Sequence, residues 1–192
     1  MAALSVRLLA QEDRRLQPEA DVDDIVELAE VDAEQFLQAH PVGGAGLKAY
    51  GTNVLVNILN QTGALPTRNF QDGYFPTADK TGGESLAAKQ LVRPKGCFSC
   101  IISCGRVSKV DNPDYKGFGE GPEYETAWSF GADCGIDDLD AITKANFLCN
   151  EYGIDTISMG STVACAMELF ERGIITAEDT DGVQLTFGNV AA

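Results

Sequence analysis

Three cysteines, Cys97, Cys100 and Cys104, lie within eight residues of the sequence. Thiols spaced C-x2-C-x3-C can bind three irons of a 4Fe–4S cluster, with the fourth ligand supplied from elsewhere. Zinc sites normally use cysteine pairs or a nearby histidine. The single histidine, His40, lies 57 residues before the triplet. The spacing therefore favours an iron–sulfur cluster, and zinc remains the alternative.

The other three cysteines are the candidates within this chain for a fourth ligand. Cys149 and Cys165 fall on or beside apolar helical stripes, where small buried cysteines are common. Cys134, in the loop-like stretch GADCGIDD, is the better candidate, and a packing role is also open for it. The sequence offers no strong fourth ligand.

The charge of the chain is strongly acidic and unevenly distributed. A net charge of −15 and a pI near 4.3 argue against nucleic acid and anionic membranes as partners. Such a surface is also typical of proteins from salt-adapted organisms, in which salt screens the self-repulsion. Residues 80–116, in contrast, contain seven Lys or Arg against three acids, and this basic segment includes the triplet. Positive neighbours favour thiolates and can hold an anionic cluster or a phosphate.

The sequence also carries signals for its location. No apolar run approaches the roughly 20 residues needed to span a bilayer. The first residues, MAALSVRLLAQEDRR, lack the features of a signal peptide. We therefore predict a cytoplasmic location, where the six cysteines stay reduced.

Helices are predicted on both sides of the triplet. Apolar residues at helical spacing predict one helix over residues 45–63, ended by Gly63. The stretch ESLAAKQLV predicts a short helix that Pro94 and Gly96 end.

Two longer helices are predicted after the triplet. DDLDAITKANFLCNEYG has acids in its first turn and Gly153 at its end, and TISMGSTVACAMELFERG ends at Gly173. Strand patterns are weak, with candidates only at residues 100–110 and 183–187. The predicted fold is therefore mainly α, a helical domain with long functional loops.

Several stretches, in continuous order, resemble the aldehyde ferredoxin oxidoreductase family. They are YGTNVLVNILNQTGALPTRNF, the cysteine triplet, GEGPEYETAWSFGADCGIDDLDAITKANFLCNEYGIDTIS and AMELFERGIITAEDTDG. Members of this family are tungsten enzymes with a bis-pyranopterin cofactor beside a 4Fe–4S cluster. They are much longer, with a β-rich first domain and a fourth cluster cysteine far downstream. The resemblance covers roughly residues 43–189 and implies the central helical region of such an enzyme.

The resemblance implies roles for particular residues. Cys97, Cys100 and Cys104 match the family's first three cluster ligands. Glu123 or Glu125, in EGPEYET, is implied as an acid or base near the metal, where it orients water or moves a proton. The alternative for these acids is a solvated side chain or a structural ion pair.

The stretch DTISMGS resembles the family's pterin-contacting turn. The cofactor contacts that it implies are Asp155, Thr156, Ser158 and Gly160. The alternative is a helix N-cap, and both can hold at once. Arg68 and Asn69, in PTRNF, are candidate polar contacts near the cofactor, and a loop-stabilising role is equally open.

The resemblance implies part of an oxidoreductase that converts aldehydes to carboxylic acids at tungsten or molybdenum. Electrons would leave through the 4Fe–4S cluster to ferredoxin, and activity would need the missing domains or sister chains. We expect an acidic helical segment at residues 1–42 and an incomplete iron–sulfur and pterin-contacting domain at 43–192. The alternatives are a small iron–sulfur electron-transfer protein that uses Cys134 and a zinc-binding structural module.

Overall fold

The computed structural model describes residue 35 and residues 40–191. The predicted acidic helical segment at residues 1–42 therefore lies almost entirely outside the described residues. Within them, six α-helices and one antiparallel sheet form, and none of these helices has the length and apolar content to cross a bilayer. In chain order the elements are α1 (Leu47–Tyr50), α2 (Val54–Gln61), α3 (Gly83–Lys89), β1 (Leu91–Lys95), β2 (Gly105–Val110), β3 (Gly117–Glu120), α4 (Tyr124–Phe130), α5 (Leu139–Tyr152) and α6 (Thr156–Glu171).

The single helix predicted over residues 45–63 is divided into α1 and α2 at Gly51. This glycine has a φ of +67°, and a Cβ on it would lie 2.7 Å from the carbonyl oxygen of Cys104. A residue with a side chain is therefore excluded both by its backbone conformation and by the neighbouring segment. The predicted end at Gly63 is confirmed, with a φ of +71°.

A small sheet accompanies the predicted helices, so the mainly α prediction holds only roughly. β2 is the central strand and pairs antiparallel with β1 and β3. Pro94 does not end the preceding helix as predicted, because α3 ends at Lys89 and Pro94 lies within β1. A proline is tolerated there because β1 is an edge strand. The predicted strand at residues 183–187 is wrong, since that segment has no strand.

The sheet packs against α5 through glycines. A Cβ on Gly117 would lie 2.5 Å from the Phe147 ring, so this ring rests directly on the backbone of β3. Residues 96–104 connect β1 to β2, and the sheet therefore carries the cysteine triplet on one of its connections.

The two long helices predicted after the triplet are confirmed. The Asp138 carboxylate accepts hydrogen bonds from the N–H groups of Asp140 and Ala141 at 3.0 and 3.3 Å and begins α5. Gly153, with a φ of +67°, ends it. Among the apolar residues of α5, Leu139, Ile142 and Cys149 are buried, whereas Leu148 and Tyr152 are exposed.

Helix α4 lies at the centre of the core. Six of its seven residues are buried, and Glu125 is the exception. One side of α4 packs against α2 and the loop after it, in a cluster that includes Val56, Leu65 and Trp128. The same helix also contacts α5 and α6.

Helices α4 and α6 approach each other very closely. A Cβ on Gly160 would lie 2.6 Å from the Ser129 Oγ and 2.7 Å from the Ser129 carbonyl carbon. Nearer the helix starts, the Oγ1 atoms of Thr126 and Thr156 share a hydrogen bond of 2.8 Å. The two contacts occur in the same order along both helices, so the helices run parallel with their N-terminal ends together.

This packing predicts that adding a single methyl group at Gly160 lowers the stability of the fold. We expect Gly160→Ala to lower the free energy of unfolding by about 1–3 kcal/mol, because the methyl group overpacks the contact with Ser129. Denaturant unfolding measures the change. Cys165→Ala, at an exposed position of the same helix, is the matched control and should stay within about 0.5 kcal/mol. An unchanged stability in Gly160→Ala would contradict the close packing.

Candidate functional site

The cysteine triplet occupies the connection between β1 and β2. Cys97 and Cys100 are exposed, and Cys104 is partly buried. Across residues 40–191, no three His, Cys, Asp or Glu side chains are already arranged to hold a metal ion. Metal binding by the triplet therefore stays a prediction, and its support comes from the loop's chemistry.

Two residues in the loop adopt the left-handed conformation without being glycine. Ser99 has a φ of +56° and Ser103 a φ of +52°, and each directly precedes a cysteine of the triplet. This conformation costs a residue with a side chain roughly 1–2 kcal/mol. Strain of this kind concentrates at functional sites. The two left-handed residues turn the chain and keep the three cysteines on one compact loop.

Hydrogen bonds to sulfur distinguish Cys100 from Cys104. The backbone N–H groups of Ser103 and Ile102 donate to the Cys100 sulfur and lower the pKa of that thiol. Burial, with a smaller contribution from the charge of Glu123, raises the pKa of the Cys104 thiol. Thiolate is the form that binds metal, and hydrogen bonds to sulfur are a feature of iron–sulfur sites. The donor set of three cysteines with N–H support therefore fits an iron–sulfur cluster.

The remaining cysteines are placed elsewhere. Cys134 is fully buried against Ala164 and Met167, and its Sγ donates to the Ser129 carbonyl at 3.3 Å. Burial raises the pKa of the Cys134 thiol to about 12. A neutral thiol in the core packs rather than binds metal, so these contacts favour the packing role for Cys134. Cys149 is also buried, and Cys165 is exposed on α6.

The basic segment around the triplet is neutralised in part. Three of its seven bases form ion pairs, with N–O distances of 2.5, 2.7 and 2.6 Å: Lys80–Asp137, Lys95–Glu120 and Lys109–Asp111. A fourth base, Arg106, is 2% exposed. The segment is therefore not the continuous positive surface that its composition suggests.

Glu123 lies at the start of α4, close to the cysteine loop. It accepts a hydrogen bond from the Thr52 hydroxyl, and the same oxygen of Thr52 accepts one from the Tyr124 N–H at 2.8 Å. Burial raises the pKa of Glu123, against the smaller opposing effect of the Thr52 hydrogen bond. A partly buried carboxyl with a raised pKa is typical of an acid or base at a functional site.

Glu125 has different surroundings. It is exposed, and its carboxylate accepts a hydrogen bond of 2.6 Å from the Trp128 Nε1. That bond ties the side chain along its own helix. The geometry therefore favours Glu123 over Glu125, although a catalytic role for either stays a prediction.

The residues predicted to contact a pterin surround the start of α6. Asp155 caps this helix by accepting a 2.7 Å hydrogen bond from the Ser158 N–H, and hydrogen bonds from Ser158 lower the pKa of Asp155. Thr156 is bonded to Thr126, and Gly160 packs against α4. These contacts agree with the N-cap alternative. The positive ends of the α4 and α6 dipoles meet here, which suits an anionic ligand.

Arg68 and Asn69 lie at the opposite end of α6. Arg68 forms a 2.9 Å ion pair with Glu171, and the Asn69 amide donates to Glu168 at 2.5 Å. Glu168 is thirteen residues beyond Asp155, or roughly 20 Å along the helix. The structure therefore does not bring Arg68 and Asn69 together with Asp155, and their contacts agree with the loop-stabilising alternative.

Three consecutive left-handed residues, Arg68, Asn69 and Phe70, form a turn that the sequence did not predict. Their φ values are +50°, +52° and +61°. The Arg68 N–H donates to the Ala132 carbonyl and the Asn69 N–H to the Asp133 carbonyl, both at 3.0 Å. The Phe70 N–H donates to the Asp133 carboxylate at 3.2 Å. Asp133 is fully buried, its Oδ2 has no hydrogen-bond partner, and burial raises its pKa to about 6.

Comparisons with known proteins identify the family of this chain. A family model described as "Aldehyde ferredoxin oxidoreductase, domains 2 & 3" matches residues 29–192. The chain is 53% identical over 156 residues to the tungsten-containing aldehyde ferredoxin oxidoreductase of Pyrococcus horikoshii, covering 80% of this chain and 25% of that protein. It is 44% identical over 190 residues to the Pyrococcus furiosus protein of the same name, covering 98% and 31%.

A more distant relative carries a different name. The "Aliphatic sulfonate oxidoreductase, WOR-like subunit" of Pyrococcus furiosus is 29% identical over 128 residues, covering 66% of this chain and 20% of that protein.

The chain belongs to the aldehyde ferredoxin oxidoreductase family, which confirms the resemblance seen in the sequence. It spans about a quarter to a third of the length of these two tungsten-containing relatives.

The buried Asp133 predicts a pH-dependent stability. Its folded pKa of about 6 lies above the unfolded value of 3.8, so the stability that it contributes is present below pH 3.8 and is lost as pH rises through 6. Asp133→Asn cannot ionise and escapes this loss. Its free energy of unfolding relative to the unsubstituted chain should therefore rise by about 2 kcal/mol between pH 4.5 and 7.5.

Denaturant unfolding at the two pH values measures this difference. Asp114→Asn is the matched control, because Asp114 is exposed and its carboxylate remains in water. A stability difference for Asp133→Asn that does not change with pH would show that the Asp133 carboxyl is not destabilised by burial.

Proposed function

We propose that this chain forms the part of a tungsten-pterin oxidoreductase that supplies three ligands of a 4Fe–4S cluster and one wall of the active site. The whole enzyme would oxidise aldehydes to carboxylic acids and pass electrons to ferredoxin. The names of the relatives support this proposal. The observation that carries it is the proximity of Cys104, Glu123 and the shared N-terminal end of α4 and α6.

The cysteine loop is the proposed cluster site. Cys97, Cys100 and Cys104 supply three thiolates from one loop, and the N–H groups that donate to Cys100 support the thiolate form. Cys134 is buried as a neutral thiol, so the fourth ligand would come from a part of the enzyme outside this chain. A bound cluster would supply one-electron steps.

The start of α6 is the proposed cofactor-facing edge. Asp155 and Thr156 fix the first turn, Thr156 is bonded to Thr126 near the start of α4, and Ser158 is exposed. When bound, a tungsten or molybdenum bis-pyranopterin would supply the two-electron chemistry at the substrate carbon. Arg68 and Asn69 remain weaker candidates for this contact, because their side chains bind acids near the other end of α6.

Glu123 is the proposed proton acceptor. An aldehyde and a water yield a carboxylic acid, two protons and two electrons. The Glu123 carboxylate would accept one of these protons, since burial raises its pKa above the ordinary value. The Thr52 hydroxyl, which donates to Glu123, holds the carboxylate in position and is itself fixed by the Tyr124 N–H.

The remaining parts of the proposal follow from the same reasoning. The chain alone is expected to be inactive, because the proposed site needs a fourth cluster ligand and further cofactor contacts from other segments or chains. We also propose a cytoplasmic location, and the net charge of −15 predicts low affinity for nucleic acid.

The cluster assignment predicts the metal content of variants. In the enzyme that contains this chain, produced anaerobically, Cys100→Ser should lose the iron and the acid-labile sulfide of the cluster. Cys165→Ser, an exposed cysteine outside the loop, is the matched control and should retain both. Cys134→Ser should also retain them, whereas the small iron–sulfur protein alternative requires their loss. Zinc without iron in the unsubstituted protein would support the zinc module instead.

The proton-transfer role predicts different effects for two neighbouring acids. Glu123→Gln removes the proton acceptor and should lower kcat by about 100-fold or more, the usual range for general acid–base groups. Glu125→Gln should have a much smaller effect, because Glu125 is exposed and bonded to Trp128. Steady-state aldehyde oxidation at equal cofactor loading measures both. Equal losses, or a larger loss in Glu125→Gln, would refute this assignment.

A further inference from the structure

Arg106 is a buried cation at the edge of the cysteine loop. Arg106 lies in β2, two residues after Cys104, and only 2% of its surface is exposed. Its Nη1 donates to the carbonyls of Ser103 and Gly105 at 2.9 and 3.0 Å. These two residues lie on either side of Cys104. One guanidinium nitrogen therefore holds the backbone on both sides of this cysteine.

The other end of the guanidinium reaches a different element. Its Nη2 donates to the carbonyls of Leu47 and Lys48 in α1, at 2.8 and 2.7 Å. Arg106 thus joins the cysteine loop to α1, and four of its five N–H donors bind backbone carbonyls. The left-handed Ser103 is one of the residues held in this way.

The positive charge of Arg106 is not neutralised by direct contact. Among the residues that the structure describes, no carboxylate forms an ion pair or a hydrogen bond with it, and its buried Nε–H has no partner. Glu123 is the acid that acts on it electrostatically, without a hydrogen bond. Leaving a buried charged donor unpaired costs free energy, so such a group in a native structure calls for an explanation.

Close packing keeps water away from this charge. A Cβ on Gly51 would lie 3.1 Å from the Arg106 Nε and 2.7 Å from the Cys104 carbonyl oxygen. The backbone at the junction of α1 and α2 therefore covers both residues. A charge in such a poorly solvated position acts on its neighbours more strongly than a charge in water.

We propose that Arg106 is a positioning residue for Cys104 whose buried positive charge raises the reduction potential of the iron–sulfur cluster. This inference rests on the proposed function, since it requires the triplet to bind the cluster. One-electron reduction adds a negative charge to the cluster, and a fixed cation nearby stabilises the reduced form more than the oxidised form. Local charge and hydrogen bonding are established controls of such potentials.

The test is a redox titration, monitored by electron paramagnetic resonance, of the complete enzyme that contains this chain. Arg106→Met removes the charge at similar volume. At a fixed solution potential it should lower the ratio of reduced to oxidised cluster at least tenfold, equivalent to 59 mV for one electron. Arg106→Lys keeps the charge and should leave the potential close to that of the unsubstituted enzyme.

Lys95→Met is the matched control for charge. Lys95 lies in β1, paired with Gly105 in the sheet, and it is exposed and bonded to Glu120. The Lys95→Met substitution removes the same unit of charge near the loop, but solvent screens the charge of Lys95. The change in the ratio of reduced to oxidised cluster should therefore be well below tenfold. A shift as large as that of Arg106→Met would overturn the role assigned to burial.

The remaining outcomes separate this inference from the proposed function. No iron in the unsubstituted enzyme refutes the cluster itself. A cluster with an unchanged potential in Arg106→Met refutes only the inference. If Arg106→Met loses iron, Arg106→Gln, which retains N–H donors, replaces it in the titration. Iron loss from both neutral variants with retention in Arg106→Lys supports the role of the charge, and loss from all three overturns it.

Discussion

The close contact between α4 and α6 is the constraint on which the arrangement of the candidate site depends. Gly160 allows α6 to approach the Ser129 backbone, and the bonded hydroxyls of Thr126 and Thr156 align the starts of the two helices. Parallel dipoles side by side repel, so this arrangement must be stabilised by the buried packing around it. Its consequence is chemical, because Glu123 and Asp155 come to precede two adjacent helix starts.

The cysteine loop depends on a second set of contacts, which come from outside the loop. It lies between an edge strand that contains Pro94 and a central strand, and two of its residues adopt strained conformations. The carbonyls held by Arg106 tie its second half to α1, and α1 leads through Gly51 and Thr52 to Glu123. The loop and the candidate proton acceptor are therefore positioned by the same short segment of chain.

The sequence predicted best those elements whose ends have strong local signals. Helices α5 and α6 were predicted from the acids in the first turn of α5 and from the glycine that follows each helix, and in the structure an aspartate caps each start. The strand candidate at residues 100–110 overlaps β2, whereas β1 and β3 were missed because they are short and contain Pro94 or glycines, which β-propensity rules count against. The break at Gly51 was missed because its cause is a neighbouring segment more than fifty residues away.

Some residues of the candidate site could be predicted from local sequence, and others could be found only from the fold. The cysteine triplet and the pair of Glu123 and Glu125 could be selected from spacing and resemblance, since those are properties of the local sequence. Arg106 could not, because it is one of seven bases in its segment and only the fold shows that it is buried. The turn at Arg68 was also beyond prediction, since the residues that hold it, Ala132 and Asp133, are distant in sequence.

Glu123 and Asp155 show how the surroundings of two similar carboxyl groups lead to different chemistry. Both directly precede a helix, where the dipole favours the ionised form. Asp155 is exposed and accepts hydrogen bonds from Ser158, so its pKa is lowered and it serves as a permanent anionic cap. Glu123 is partly buried, and desolvation outweighs its single bond from Thr52, so its pKa is raised. A carboxyl that gives up its proton less readily is suited to carry one, and for this reason we propose the proton-transfer role for Glu123 and a structural role for Asp155.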